Sequence, residues 1–371
     1  MDHEEKINGS YDWIKEDAIL TEDYTSITFY RYFNEIIKRN SLPENLTNLT
    51  FGYYFRQKIE PNSLPENITT LTFGFKFNQK IEPNSLPKNI TTLTFGYEFN
   101  HKIEPNSLPE NLINLTFGDC FNRKIEPDSL PENLTTLTFG CYFTQKIEPN
   151  SLPRYLTTLN FDYGFNQKIE PNILPEKLTS LTFGKKFNQK IKPNSLPENL
   201  TNLTFGNDFN KKIEPNSLPE TLTTIKFGYE FNQKIEPKIL PENLTTITFG
   251  ARFYQIIDLE MLPYKLENIN FIWMKSIWKI NEWETIFCKS YVDMVNNIPN
   301  YYHVVLILDD NLSGTDGPKW PIHVIKYDEK KWSSEIYEIQ DTYDHSIYGP
   351  ITVLINTETY EPYFFAKSAR K

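Results

Sequence analysis

The sequence predicts a parallel β solenoid of 22-residue coils with a small C-terminal α+β module. Three observations predict it. Eleven Leu-Pro pairs recur every 22 residues, from Leu42 to Leu262. Each repeat carries its large apolar side chains at the same six positions. Within each repeat, the spacing Leu-x-x-Leu-x-Phe matches the strand of a leucine-rich repeat, so the solenoid is expected to be leucine-rich-repeat-like.

The repeat at 130–151 shows how one coil is built. Alternate side chains of the strand enter the core and the others face outward. The apolar positions hardly change from repeat to repeat, and we therefore predict that they form the core. In this coil they are Leu130, Leu134, Leu137, Phe139, Phe143 and Ile147.

Turn residues separate the walls of each coil. The Leu-Pro corner prevents a helix before the strand, because proline lacks an N–H group and restricts the residue before it. Gly140 and its counterparts let the chain turn after the strand. The following Gln-Lys-Ile-Glu-Pro segment points one Ile inward between two outward charges. We expect it to form the opposite wall, with a second parallel ladder.

The N-terminal end departs from the regular repeat. Residues 1–19 form an acidic segment, and residues 20–41 fit a degenerate first coil that lacks the proline. This coil is expected to act as an N-terminal cap, since terminal repeats are usually atypical. Its apolar positions are Leu20, Tyr24, Ile27, Phe29, Phe33 and Ile37.

The 22-residue rhythm ends at Phe271, so we assign 20–271 to the solenoid and 272–371 to a separate α+β module. Helical spacing of apolar residues predicts a helix from Trp283 to Ile298. Strands are predicted at 301–308, 321–327, 332–339, 351–355 and 360–366. The module either covers the last coil or forms a domain with its own ligand.

The repeat unit resembles the FNIP repeat, also called IP22, of dictyostelid amoebae and of giant viruses that infect amoebae. The resemblance rests on Leu-Pro…Leu-Thr-x-Leu-Thr-Phe-Gly…Phe-Asn…Ile-x-Pro-Asn-Ser and covers about residues 20–271. One departure is Lys80, which stands where the family has proline in the Phe-Asn-x-Pro-Ile run. The resemblance implies a leucine-rich-repeat-like fold and protein interaction. Many members also carry an F-box that would recruit a ubiquitin ligase, but the segment 1–19 is too short for that module.

Charge and cysteine content limit the class of partner. The net charge is −10 at pH 7, and a Lys column and a Glu column two positions apart neutralise each other. Binding to nucleic acid is therefore not expected. The longest apolar run, 304–308, is too short to cross a bilayer. Three cysteines in 371 residues and no secretory signal indicate a reducing compartment, hence an intracellular and cytoplasmic protein, in the host cytoplasm if the source is a virus.

The sequence offers little for catalysis, cofactor binding or metal binding, and none is predicted. The five histidines show no ligand spacing. The segment 309–316 begins like a calcium loop, but Trp320 occupies the position of the essential Glu, which favours a polar hairpin loop. Cys120 and Cys141 are expected on adjacent coils, facing differently, so a disulfide is not favoured.

These observations predict a non-catalytic scaffold for protein–protein interaction. The two positions after the Gly vary most between repeats, and partner specificity is expected there. A basic patch around 185–192 interrupts the acidic surface, although charge runs are often only solvated. The alternatives are a ubiquitin-ligase adaptor and an enzyme with its site in 272–371. The predicted partner-binding residues are Tyr53, Tyr97, Tyr142, Tyr163, Lys185, Lys186 and Lys192.

Overall fold

The computed structural model describes residues 14, 16–253, 255 and 262–273, together with the strand segments 303–308, 323–324, 351–355 and 362–366. These residues form a 15-stranded sheet and a two-stranded sheet. The predicted parallel solenoid is confirmed, because one strand of the large sheet occurs in every coil. The strands, in chain order, are β1 (Ala18–Leu20), β2 (Ser26–Phe29), β3 (Asn48–Thr50), β4 (Thr70–Thr72), β5 (Thr92–Thr94), β6 (Asn114–Thr116), β7 (Thr136–Phe139), β8 (Thr158–Phe161), β9 (Ser180–Thr182), β10 (Asn202–Thr204), β11 (Thr224–Lys226), β12 (Thr246–Phe249), β13 (Asn268–Trp273), β14 (His303–Leu308), β15 (His323–Val324), β16 (Ile351–Ile355) and β17 (Pro362–Ala366).

The strands from β2 to β14 pair in parallel and in order along the chain. Leu49 lies beside Leu71, and Leu71 beside Leu93, so each partner is one repeat away. Because the register equals the repeat length, identical positions stack in columns along the solenoid. The central side chain of each regular strand points into the core, while its Thr and Asn neighbours lie half-buried or exposed outside, apart from the buried Thr248.

The core contains two rows of phenylalanine rings. Within a coil, the centroids of Phe139 and Phe143 are 3.9 Å apart. Between coils, Phe139 lies 5.6 Å from Phe117. Aromatic side chains bury large apolar areas, so these rows supply much of the stabilisation. The six predicted columns are buried from Leu42 to Phe249; in this coil they are Leu130, Leu134, Leu137, Phe139, Phe143 and Ile147.

The Glu-Pro-Asn-Ser corner is a tight turn with a left-handed residue. Asn62 has a φ of 61°, and the Ser63 N–H donates to the Glu60 carbonyl over 3.1 Å. Pro at the second position and a positive φ at the third are features of a type II turn, and Asn tolerates that φ better than most residues. The same φ recurs at the equivalent positions, including Asp128 and Lys238.

The opposite wall differs from the expected second ladder. Ile59 and its counterparts are buried there as predicted, but none of the described residues on this wall forms a strand. Side chains connect the coils instead. The Asn78 Oδ1 accepts the N–H of Asn100 over 3.0 Å, and the Gln57 Nε2 donates to the Asn34 carbonyl over 2.9 Å. The proline that follows has no N–H to offer a ladder, which explains the difference.

An antiparallel strand lies at each end of the large sheet. β1 pairs with β2, and β15 pairs with β14. Ile27, Phe29, Phe33 and Ile37 of the first coil are buried, whereas Leu20 is half-buried. β14 continues the parallel ladder beyond β13. The capping role of both ends stays a prediction.

The C-terminal predictions are tested only in part. Strands lie within four of the five predicted segments, as β14 to β17. The predicted helix at 283–298, the strand at 332–339 and the loop at 309–316 lie outside the described residues.

We expect Phe139→Ala to lower the free energy of unfolding by about 3–5 kcal/mol, because a deleted core aromatic leaves a cavity. Tyr142→Ala should cost far less, since Tyr142 is 53% exposed. Denaturant titration of both variants checks this. Equal losses in the midpoint would show that the two columns do not differ in burial.

Candidate functional site: the variable edge

The variable edge is the row of paired residues that follows the Gly position of each coil, from residues 31–32 to 251–252. Backbone hydrogen bonds stack these turns directly on one another. The Lys76 N–H donates to the Tyr53 carbonyl over 2.9 Å, and the Glu98 N–H donates to the Phe75 carbonyl over 3.0 Å. Side chains of neighbouring coils are therefore held side by side along a rigid edge.

The Gly before the pairs from 53–54 onward, which we call the glycine column, is required by close backbone approach. A Cβ atom at Gly74 would lie 1.8 Å from the carbonyl oxygen of Gly52, and one at Gly96 would lie 1.8 Å from that of Gly74. No side chain fits such a gap without a backbone shift. Asp162 occupies this position in its coil, where Gly164 follows two residues later.

Aromatic rings line the N-terminal part of the edge. The Phe75 ring stacks between Tyr53 and Tyr97, with centroid distances of 4.6 and 4.4 Å. Tyr32 stacks on Tyr54 at 5.2 Å, and the Arg31 guanidinium lies 4.9 Å from the centre of Tyr53. Two of the predicted partner-binding residues, Tyr53 and Tyr97, therefore belong to one continuous aromatic row.

Tyr142 extends this row across one intervening coil. Its hydroxyl lies 3.4 Å from that of Tyr97, and the two rings meet edge to face. The pKa of Tyr97 is raised to about 12, chiefly by the hydrogen bond with Tyr142 and secondly by desolvation. Tyr142 is 53% exposed and thus presents much of its ring to solvent.

A cluster of Asp119, Cys141 and Asp162 lies midway along the edge, on three successive coils; Asp119 and Cys141 belong to the variable edge, and Asp162 lies beside it in the glycine column. Their ligand atoms all lie within 4.8 Å of one another. The Cys141 thiol donates to an Asp162 carboxylate oxygen over 3.2 Å, and the Cys141 N–H donates to Asp119 over 3.4 Å. Desolvation and these carboxylates raise the pKa of the Cys141 thiol to about 12. Cys120, also a free thiol, has its pKa raised chiefly by burial.

Tyr163 and two lysines follow towards the C-terminal half. The ammonium groups of Lys185 and Lys186 lie 5.1 and 5.6 Å from the centre of the Tyr163 ring. Lys186 also pairs with Asp208 at 3.3 Å, and this hydrogen bond raises the pKa of Lys186. The structure thus places the predicted residues Tyr163, Lys185 and Lys186 in one group. The positive charge of Lys186 is partly neutralised by Asp208.

Lys192 does not belong to this edge. It lies on the opposite wall and pairs with Glu170 at 2.8 Å, which lowers the pKa of Glu170. Lys146 and Lys168 line a shallow depression on the same wall, beside Glu170. The regular Lys and Glu columns also pair there, as in Lys80 with Glu82 at 3.3 Å. The basic patch predicted as one surface is therefore divided between two faces.

Sequence reasoning missed several residues of the edge. Arg31 and Tyr32 occupy the same two variable positions as the predicted residues, so extending the repeat alignment to the first coil could have identified them. Phe75 lies at a variable position where partner specificity was expected, although it was not among the predicted partner-binding residues. The Asp119, Cys141 and Asp162 cluster was also missed, because its members come from three repeats and form no motif along the chain. The sequence feature that could have drawn attention to the cluster is Asp162, which stands where the other regular coils have Gly.

Comparison with known proteins identifies a family and a similar solved structure. The FNIP Repeat model matches residues 19–54, 33–76, 77–120, 99–142, 121–164, 143–186, 187–230 and 231–272. CroV588 of the giant virus Cafeteria roenbergensis virus, described as a novel circular leucine-rich-repeat protein, is 42% identical with a TM-score of 0.67. The alignment covers 76% of this chain and 40% of the CroV588 chain, so this chain spans less than half the length of CroV588.

No curated protein matches this chain. In the part of the chain with described structure, no helix could span a membrane.

We expect the Cys141 thiol to alkylate more than about 100-fold more slowly at pH 8 than a thiol of ordinary pKa, because its thiolate is scarce. Its rate should keep rising with pH up to about 12, the raised pKa. Asp162→Gly should accelerate the reaction, because it removes the hydrogen-bond acceptor and a negative charge. Residue-resolved mass spectrometry after timed iodoacetamide labelling measures both rates.

Asp208→Asn serves as the control, since Asp208 lies on the same edge but pairs with Lys186. Its alkylation rate at Cys141 should equal that of the unmodified sequence. A Cys141 rate typical of a free thiol, or one unchanged by Asp162→Gly, would contradict the described environment.

Proposed function

This chain belongs to the FNIP-repeat family, and we propose that it is a non-catalytic scaffold whose variable edge binds a partner protein. The leucine-rich-repeat-like solenoid is a scaffold of the kind that serves protein interaction, because its coils together offer a long continuous surface. The observation that carries the proposal is the aromatic row of Tyr53, Phe75 and Tyr97, which continues to Tyr142. Rigid, partly exposed Tyr side chains give large contact area at low entropic cost.

The other faces offer less for recognition. The outer face of the strands is a uniform row of polar side chains, as at Thr70, Thr92 and Asn114. The opposite wall carries Lys and Glu columns that pair with each other, and exposed pairs contribute little free energy. Among the described residues, the variable edge changes most in size, charge and polarity from coil to coil, as selective binding requires.

The partner that fits this edge best is a protein with an acidic segment beside apolar side chains. The ammonium group of Lys185, which lies over the Tyr163 ring, offers a positive charge to an acidic side chain of the partner. The Tyr residues of the aromatic row and Arg31 are of the residue types that contribute most binding energy in protein interfaces. A nucleic acid fits less well, because the net charge is −10 and acidic groups such as Asp119 and Asp162 lie between the basic ones.

The proposed setting is the interior of a cell, in the host cytoplasm if the source is a virus. The low cysteine content, three in 371 residues, supports it, since disulfide frameworks are typical of oxidising compartments.

Reversing Lys185 and Lys186 to Glu should slow association with the partner at least several-fold and change its salt dependence, because charges at an interface rim act mainly on the association rate. The fold should tolerate the change, since both side chains are solvent-exposed. Affinity purification from host cells, with the retained protein quantified, identifies the partner. Surface-based kinetics with that purified partner then measures the association rate.

The matched control reverses Lys124 and Lys146, which pair with Glu126 and Glu148 at 3.5 Å on the opposite wall. This variant has the same net charge as the test variant and should keep normal association. Equal slowing in both variants would mean that overall charge governs binding and would overturn the assignment to the variable edge.

A further inference from the structure

We propose that Asp119, Cys141 and Asp162 form a zinc-binding site on the variable edge. This inference does not depend on the proposed partner binding and goes beyond it. Zn²⁺ binds thiolate and carboxylate ligands together, and sites with three protein ligands keep a fourth position open. The three side chains supply one sulfur and two carboxylate groups, from three successive coils.

The distances suit a single small cation. Donor atoms bound to one tetrahedral Zn²⁺ at about 2.0–2.3 Å lie about 3.3–3.8 Å from one another. The three donors already lie within 4.8 Å of one another, and Cys141 Sγ is 3.2 Å from an Asp162 oxygen. The thiol proton that now bridges Cys141 and Asp162 is released when the metal binds.

The charge of the cluster is not balanced by the protein. Other acids of the edge have cationic partners: Glu98 pairs with Lys76, Asp208 with Lys186, and Glu230 with Arg252. Over the residues with described structure, neither Asp119 nor Asp162 forms an ion pair. Two carboxylates beside a thiol therefore form a local negative site that a cation would neutralise.

The position of Asp162 is a separate observation that favours a specific role. In the other regular coils from 42 to 250 this position is Gly, because a Cβ there meets the preceding backbone. At Asp162 the strand pairing runs one step further, with the Asp162 N–H donating to the Phe139 carbonyl over 3.2 Å. Asp thus replaces Gly at the position of the repeat that tolerates a side chain least, and the carboxylate that it adds contacts Cys141.

The donor set selects zinc over the alkaline-earth ions. Ca²⁺ takes six to eight oxygen ligands and Mg²⁺ a near-octahedral set of oxygens, and neither favours sulfur. A mixed thiolate and carboxylate set suits borderline divalent ions such as Zn²⁺, and Co²⁺ is its spectroscopic substitute.

The test uses the full chain, stripped of metal with a chelator and titrated with Co²⁺. A bound thiolate gives a sulfur-to-cobalt charge-transfer band in the near ultraviolet, and tetrahedral Co²⁺ gives strong visible bands. We expect both at one equivalent, and Zn²⁺ should abolish them by displacement. Cys141→Ser and Asp162→Gly should weaken Co²⁺ binding more than about 100-fold, since removal of ligand-supporting groups alone costs 10–100-fold.

Cys120→Ser is the matched control, because Cys120 is a free thiol on the same edge outside the cluster. It should bind Co²⁺ like the unmodified sequence. Asp162→Gly restores the repeat residue, so its loss of binding cannot be attributed to misfolding if its thermal midpoint is maintained. Absence of the charge-transfer band in the unmodified protein, or an unchanged band in Cys141→Ser, would overturn the proposal.

Discussion

The solenoid depends on how closely the backbones of successive coils approach after each strand. At the glycine column, an added Cβ atom would overlap the carbonyl oxygen of the preceding coil. The distance between the two atoms would be 1.8 Å at Gly74 and 1.7 Å at Gly206. None of these glycines has a left-handed φ, so the requirement is steric rather than conformational. This approach lets the strands from β3 to β12 pair in parallel with their neighbours and lets Phe columns stack through the core.

The same constraint explains where functional variation can occur. Inside the coil, the paired strands and stacked rings fix the residue type at each apolar position. Outside, the turn after the glycine column projects two side chains that lie outside the apolar core and are covered only in part by their counterparts on neighbouring coils. Rows such as Tyr53, Phe75 and Tyr97 arise there because backbone hydrogen bonds repeat at the coil spacing. A solenoid therefore turns variation along the sequence into an ordered pattern along an edge.

Repetition made the fold and the core predictable, but not the contacts between different columns. The buried positions of Phe139 and Ile147 follow directly from the invariance of their columns. The opposite wall was wrongly expected to form a ladder, because the sequence pattern reports burial and not which groups satisfy the backbone. Lys192 was grouped with Lys185 on proximity along the chain, yet the coil places them on different walls. The approach of Cys141 to Asp162 depends on the local path of one altered turn.

The claim that close backbone stacking at the glycine column holds the coils together is tested most directly by Gly96→Ala, compared with Thr94→Ala in the same coil. Replacing Gly by Ala at a position with ordinary φ normally stabilises a protein slightly, because Ala lowers the conformational entropy of the unfolded chain. Steric overlap with the Gly74 carbonyl should instead lower the free energy of unfolding by about 2–3 kcal/mol. Chemical denaturation of the two variants measures this, and Thr94→Ala should change stability much less. A Gly96→Ala protein as stable as the unmodified one would contradict the account.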